Sequence, residues 1–159
     1  KSGSHNLVIG DKHNYTNDGG IVSGHYNTIS GMNASIIGGS GNIASGTYSS
    51  VIGGSGNNAS KAYASIYGGQ NNKASGEKSV VVGGKSNEAS FNYSGVFAGS
   101  DNTSKLMFSN VFGGRNNSAE QSNSNIFGKS TNVDSENNLF FYFINYFQTK
   151  NWIRKRISS

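Results

Sequence analysis

The stretch SVIGGSGNNAS (Ser50–Ser60) decides the fold, because near-copies of it recur along most of the chain. Taken alone, its paired glycines and its Gly-x-Asn fit a phosphate-binding loop, a calcium-binding loop or one turn of a repeat. The pattern returns every 15 residues, without an insertion, from Ile21 to Asn132. A strict period of this length predicts a solenoid rather than a globule with one local site.

Two columns of residues carry the repeat. A β-branched residue opens each copy, and an Asn follows six residues later. The β-branched column consists of Ile21, Ile36, Val51, Ile66, Val81, Val96, Val111 and Ile126. The Asn column consists of Asn27, Asn42, Asn57, Asn72, Asn87, Asn102, Asn117 and Asn132.

Each copy has the pattern of a short strand followed by a tight turn. Gly supplies the positive φ that such a turn needs, and Asn tolerates the left-handed region. Stacked Asn side chains can form a ladder, and the absence of Pro keeps every rung of backbone hydrogen bonding possible. We therefore predict an all-β, parallel β-roll of about nine 15-residue coils over residues 1–138, with a degenerate first coil at about residues 5–20.

A second apolar column follows directly after the first. Successive strand side chains point to opposite faces, so we expect the β-branched column to form the core and its neighbour to point outward. The outward column is Val22, Ile37, Ile52, Tyr67, Val82, Phe97, Phe112 and Phe127. Soluble monomers rarely leave such a stripe uncovered, which predicts an oligomer interface, most economically in a homotrimer. If the two columns are exchanged, or the coil is thicker, both strand faces still need burial.

Composition and charge argue against several classes of function. The chain has 159 residues and no Cys, which excludes disulfides and thiolate metal sites. Its net charge is +5, of which residues 139–159 supply +4 through Lys150, Arg154, Lys155 and Arg156. The rest of the chain is nearly neutral, so no nucleic-acid partner is expected. No run of about 18 apolar residues occurs, so no membrane span is expected in this chain.

Two motifs resemble ligand loops but fit the repeat better. GGKS (Gly83–Ser86) and GKS (Gly128–Ser130) lack the upstream Gly of a P-loop, because Ser79 and Asn123 stand at those positions. Calcium-binding rolls use a nine-residue repeat with Asp, whereas here only Asp101 lies beside a turn Asn. We expect neither a nucleotide nor a calcium site.

The histidines do not define a metal or catalytic site. His5, His13 and His25 all lie near the start of the chain, and we interpret them as surface residues of an irregular first coil rather than as metal ligands. The repeats offer no unique nucleophile. The sequence therefore predicts no enzyme activity, no cofactor and no metal. Ice binding by a flat solenoid face is a weaker alternative, because Thr is sparse and does not follow the repeat.

The tail, residues 139–159, has a different composition from the repeats. It reads LFFYFINYFQTKNWIRKRISS, and Phe141 and Tyr142 fall on the two apolar columns. We expect it to cap the open end of the roll or to contact another copy. A membrane-surface anchor and a non-native extension are the remaining interpretations.

The repeats resemble a known family. ASIIGGSGNIASGTYSSVIGGSGNNAS (Ala34–Ser60) and SVVVGGKSNEAS (Ser79–Ser90) resemble the head repeats of trimeric autotransporter adhesins, the YadA-like group. The resemblance covers about residues 5–138. It implies a left-handed parallel β-roll, a homotrimer joined through the outward apolar column, and turns formed by the Asn and Gly columns.

The resemblance also implies a function and a location. The expected role is that of an outer-membrane virulence adhesin on the bacterial cell surface, which attaches to an extracellular matrix protein or a host-cell ligand. Two features depart from the family pattern: the period is 15 rather than 14 residues, and Gly38, Gly53 and Gly68 occupy a position where the family often has Ile. A structural fibre or filament subunit without its own ligand is the second interpretation.

Overall fold

The computed structural model describes residues 2–128 and the backbone of residues 132–133 and 139–141. These residues form an all-β solenoid of about eight turns of parallel strands, and they contain no helix. The predicted parallel β-solenoid is thereby confirmed.

Nineteen strands form two parallel sheets in the described part of the chain. The ten strands of sheet A are β1 Leu7–Asp11, β3 Ile21–His25, β5 Ser35–Ile36, β7 Ser50–Val51, β9 Ser65–Ile66, β11 Val80–Val81, β13 Gly95–Val96, β15 Asn110–Val111, β17 Asn125–Phe127 and β19 Leu139–Phe141. The nine strands of sheet B are β2 Asn14–Tyr15, β4 Thr28–Ile29, β6 Ile43–Ala44, β8 Asn58–Ala59, β10 Lys73–Ala74, β12 Glu88–Ala89, β14 Thr103–Ser104, β16 Ser118–Ala119 and β18 Asn132–Val133.

The core lies between the two sheets and is narrow. Each coil sends one β-branched side chain inward from sheet A and one small side chain, usually Ala, inward from sheet B. The fully buried residues of sheet A are Val22, Ile36, Val51, Ile66, Val81, Val96, Val111 and Ile126. Those of sheet B include Ala44, Ala59, Ala74, Ala89 and Ala119, with Ser104 in the same column.

One predicted core residue, Ile21, and one predicted interface residue, Val22, are interchanged. Val22 is fully buried and pairs with Ile36, whereas Ile21 is 40% exposed and pairs with Ser35. The first coils are therefore 14 residues apart, and the 15-residue period begins only afterwards. A shift of one residue exchanges the two faces of a strand, which is why the extrapolated period assigned this coil wrongly.

The extra residue of the later coils lies at the corner after sheet A. Strands β1 and β3 run continuously for five residues, but from β5 to β15 the sheet A strand ends after two residues and pairing resumes only at an isolated bridge, first at Ser40. Asn27 donates to the carbonyl of Ser23, and Asn42 donates in the same way to Gly38. Gly38 therefore takes the place of Ser23 at the corner. In each later coil, the one additional residue lies between the end of the sheet A strand and the residue whose carbonyl accepts the hydrogen bond from Asn.

The Asn column forms a ladder of buried amides along the solenoid axis. Asn57 accepts a hydrogen bond at Oδ1 from the backbone N–H of Asn72, at 2.9 Å. Its Nδ2 donates to the carbonyl oxygens of Gly53 and Gly69, at 2.9 and 3.0 Å. Each described Asn of the column from Asn27 to Asn117 lies buried, so the ladder closes the corner of its own coil and joins it to the next coils. The side chain of Asn132 lies outside the described residues.

The two adjacent glycines at each corner differ in whether the structure has room for a side chain. Gly84 has a φ of +89°, and a Cβ there would clash with the backbone carbonyl of Gly99 in the next coil. Gly83 has no atom within 4 Å of a hypothetical Cβ, and Ala98 stands at the equivalent position one coil later. Only the second glycine of each pair is required by the backbone.

We predict that Gly84→Ala destabilises the fold by about 3 kcal/mol or more, through left-handed strain and the inter-coil clash. The matched control, Gly83→Ala, changes the free energy of unfolding by less than about 1 kcal/mol. Urea unfolding followed by circular dichroism measures both. Equal destabilisation by the two variants would contradict the assignment of the corner.

Replacing a ladder amide leaves buried backbone groups without partners. We predict that Asn57→Ala costs about 3 kcal/mol or more, because one N–H and two carbonyl groups lose a hydrogen bond in the interior. Ser55→Ala is the neighbouring control; the side chain of Ser55 is exposed, so the expected change is within about 0.5 kcal/mol. Thermal unfolding of the two variants compares them directly.

Candidate interaction surface

An apolar ridge runs along the outer face of sheet A. It contains the predicted interface residues other than Val22, namely Ile37, Ile52, Tyr67, Val82, Phe97, Phe112 and Phe127. Each side chain points outward because the core residue immediately before it points inward. The exposed fraction ranges from 57% at Ile37 to 37% at Phe112, and Phe127 is half-buried. The ridge begins at Ile37, because the coil of β3 lacks the additional residue and Ser23 there corresponds to Gly38.

Aromatic rings stack along the C-terminal half of the apolar ridge. The ring centroids of Phe97 and Phe112 are 4.8 Å apart, and those of Phe112 and Phe127 are 4.1 Å apart, with nearly parallel planes. The ring of Phe97 also covers Gly95, where a Cβ would lie 3.1 Å from the ring. Each stacked pair contributes about 0.5–1.5 kcal/mol beyond burial, so this part of the apolar ridge is stiff.

A second exposed column, not predicted from the sequence, lies at the corner before sheet A. We call Tyr48, Tyr63, Lys78, Tyr93 and Phe108 the corner column. All five have φ between 56° and 58°, in the left-handed region. The aromatic members are 43–50% exposed. Their 15-residue spacing was visible in the sequence, but as turn residues outside the strands they gave no apolar-strand signal.

The members of the corner column contact one another between coils. Tyr48 stacks on Tyr63 with ring centroids 5.2 Å apart, and Tyr93 stacks on Phe108 at 5.1 Å. Lys78 lies between the two stacks, with its Nζ 5.9 Å from the Tyr63 ring centroid and 5.1 Å from that of Tyr93. A hydrogen bond to the hydroxyl of Tyr93, and a second bond to Glu77, raise the pKa of Lys78. The ammonium is therefore held in place and keeps its charge.

Charged side chains are kept away from the outer face of sheet A. Among the strands of sheet A from β5 to β17, and along the apolar ridge, no residue is charged, and the outward strand position is Ser, Val, Gly or Asn. Sheet B carries charged residues on its strands, and Lys73 there pairs with Glu88 at 3.1 Å. A hydrogen bond from Lys105 lowers the pKa of Glu120, and a hydrogen bond from Ser118 contributes to the same shift to a smaller extent.

One histidine belongs to the ladder rather than to the surface. His13 is buried, which contradicts the expectation of a surface residue. Its Nδ1 accepts from the backbone N–H of Asn27 at 3.2 Å, and its Nε2 lies 3.1 Å from the carbonyl of Ile9. These are the bonds that an Asn makes in the later coils, so the imidazole takes the place of the amide in this coil.

The other described residues weighed as ligand candidates make contacts within the solenoid. His25 contacts Asp11, and His5 contacts Ser4. The part of the chain that the structure describes holds no group of three or more His, Cys, Asp or Glu that could bind a metal. Lys85 belongs to the bridge ladder at the corner, beside Gly84. In the tail, Phe140 pairs with Ile126 and Phe141 with Phe127, so the expected placement of Phe141 and Tyr142 on the two apolar columns is wrong by one residue. Lys129, Ser130 and the residues of the tail beyond Phe141 lie outside the described residues.

Comparison with known proteins does not assign the chain. It matches no protein-family model and no curated protein. The described residues also include no helix of a length and apolar character that would cross a membrane.

Proposed function

We propose that this chain is the head of a bacterial surface adhesin, a stiff β-solenoid that assembles into a homotrimer and attaches to a host matrix protein or cell-surface ligand. The observation that carries the proposal is the apolar ridge on the outer face of sheet A, whose strands from β5 to β17 hold no charged residue. An apolar stripe without charges has the composition of an interface core.

The size of the apolar ridge supports self-association. A large side chain presents about 150–250 Å² when fully exposed, so seven residues at somewhat under half exposure present roughly 600 Å². This equals the largest apolar patch that typical monomers leave uncovered. A second copy of the chain offers the same charge-free surface and would remove it from water.

The adhesive role rests on the repetitive surface and on the resemblance to YadA-like heads. The first coils, with their 14-residue spacing, match that family more closely than the 15-residue coils do. Attachment then comes from many equivalent contacts along the rod rather than from one pocket, and the proposed activity is non-enzymatic.

The second candidate function is that of a filament subunit without its own ligand, which the stacking of the solenoid favours. Its coils join through parallel pairing of short strands in two sheets. An edge strand is a template for pairing with another chain, so the same pairing can join two copies end to end. Such stacking would build a fibre of constant width.

We predict that Phe97→Lys together with Phe112→Lys converts the trimer into monomers, because two charges would be buried in the interface. Sedimentation velocity of the full chain measures the mass. Ile43→Lys is the matched control: Ile43 is as exposed as Phe97, at 38%, but it lies on sheet B, and this variant should remain trimeric.

Binding to immobilised matrix proteins and to host cells tests the adhesive role separately. A trimer that binds no such surface would overturn adhesion while leaving assembly intact. Filaments of constant width in electron micrographs would instead identify the second function. A chain that stays monomeric at high concentration would overturn the proposed trimer.

A further inference from the structure

The corner column carries residues that its backbone conformation disfavours. A left-handed φ costs a residue with a side chain about 1–2 kcal/mol, and Asn tolerates it better than Tyr or Phe. Asn33 and Asn123 occupy the same turn at the two ends of the column, with φ of 54° and 57°. Between them the turn has the aromatic residues instead, although it forms equally well with Asn.

Stacking within the corner column explains only in part why aromatic residues occupy this strained turn position. The rings of Tyr48 and Tyr63 contact each other, yet each side chain remains about half exposed. Strained conformations are retained where surrounding interactions stabilise them, and they cluster at functional surfaces. Half-exposed tyrosines that form ordered stacks are also the residue type that carries binding energy at protein interfaces.

The position of the corner column relates it to the apolar ridge. In each coil the corner residue and the ridge residue lie four positions apart, on either side of one two-residue strand, as Tyr48 and Ile52 do around β7. Four extended residues span at most about 14 Å, so the two columns run parallel along the two margins of sheet A. The outward strand position lies between them and is Ser50 in this coil.

The surface area shows why the two columns belong together. The apolar ridge alone offers roughly 600 Å², which is less than the about 800 Å² per partner of a standard stable interface. Four aromatic corner residues at about half exposure add roughly 400 Å². Where the apolar ridge of one copy meets the corner column of another, the two surfaces bury roughly 1,000 Å² in total, the lower bound for a specific interface, and a closed ring of three copies forms three such contacts.

We propose that the corner column of one copy packs against the apolar ridge of a second copy, so that each copy contributes two different surfaces to the contact. This inference rests on the proposed assembly and deepens it. Such a contact is heterologous, and around a threefold axis it closes into a ring in which every ridge and every corner column is covered. The single charge of the column, on Lys78, is already balanced by Glu77 at 3.3 Å.

The test replaces the aromatic residues by the residue that the turn prefers. In Tyr48→Asn/Tyr63→Asn and in Tyr93→Asn/Phe108→Asn, the turn keeps an accepted residue, as at Asn33. Sedimentation velocity across a concentration series of the full chain is expected to show association weakened at least 100-fold. Circular dichroism is expected to show an unchanged or higher unfolding temperature at equal monomer concentration.

Two control variants separate surface contact from strain. Tyr26→Asn changes an equally exposed aromatic residue with a φ of 51°, but on the other corner beside His25, and it should leave association unchanged. Tyr48→Phe/Tyr63→Phe keeps the rings and the strain and should also remain assembled.

The outcomes distinguish this inference from the proposed assembly. If Phe97→Lys/Phe112→Lys dissociates the trimer while the Asn variants keep the wild-type mass, the corner column is not in the contact and the inference is wrong. If the Asn variants keep the mass but lose adhesion, the column is a ligand surface instead, which also overturns the inference. If the ridge variant remains assembled, the proposed function itself fails.

Discussion

The bond between a buried Asn amide and the backbone of neighbouring coils is the interaction on which the solenoid depends. The strands of sheet A are mostly two residues long, and the core between the sheets is one β-branched residue and one Ala wide. Such short elements bury little apolar surface per coil. The amide ladder satisfies carbonyl and N–H groups that the tight corners would otherwise leave unpaired in the interior. His13 shows that hydrogen-bonding geometry is what this position requires, since an imidazole with the same donor and acceptor positions takes the place of the amide.

The corner also explains how two coil lengths coexist in one stack. The residue that lengthens a coil from 14 to 15 lies between the strand and the carbonyl that Asn contacts, where space is open around Gly53 and Gly68. It therefore shortens the strand without disturbing the ladder or the opposite sheet. The left-handed glycine next to it, such as Gly54, has no such freedom, because the following coil lies directly against it.

The outer faces of sheets A and B differ in the chemistry of their side chains, although the backbone of the coils is uniform. Lys73 and Glu88 form an ion pair on sheet B, whereas the strands of sheet A from β5 to β17 hold no charged residue. These strands lie between the apolar ridge and the corner column, whose one charged member is Lys78. Because the coils are in register, equal residues stack, and an exposed position becomes a stripe. A stripe of this kind can contact another molecule along its whole length, and it does not form a single reactive site. The adhesive and assembling roles proposed for the chain are based on this property.

The sequence by itself determined the solenoid, the parallel stacking, the core column from Ile36 to Ile126 and the buried Asn column, because a strict period translates directly into stacked coils. It also placed the apolar ridge from Ile37 onward, since strand side chains alternate. Only the tertiary structure decided the assignment of Ile21 and Val22, because backbone pairing and not sequence period sets the register of the first coils. The ladder role of His13 and the corner column likewise needed the fold: hydrogen-bond geometry and left-handed turns bring together residues that no apolar periodicity marks.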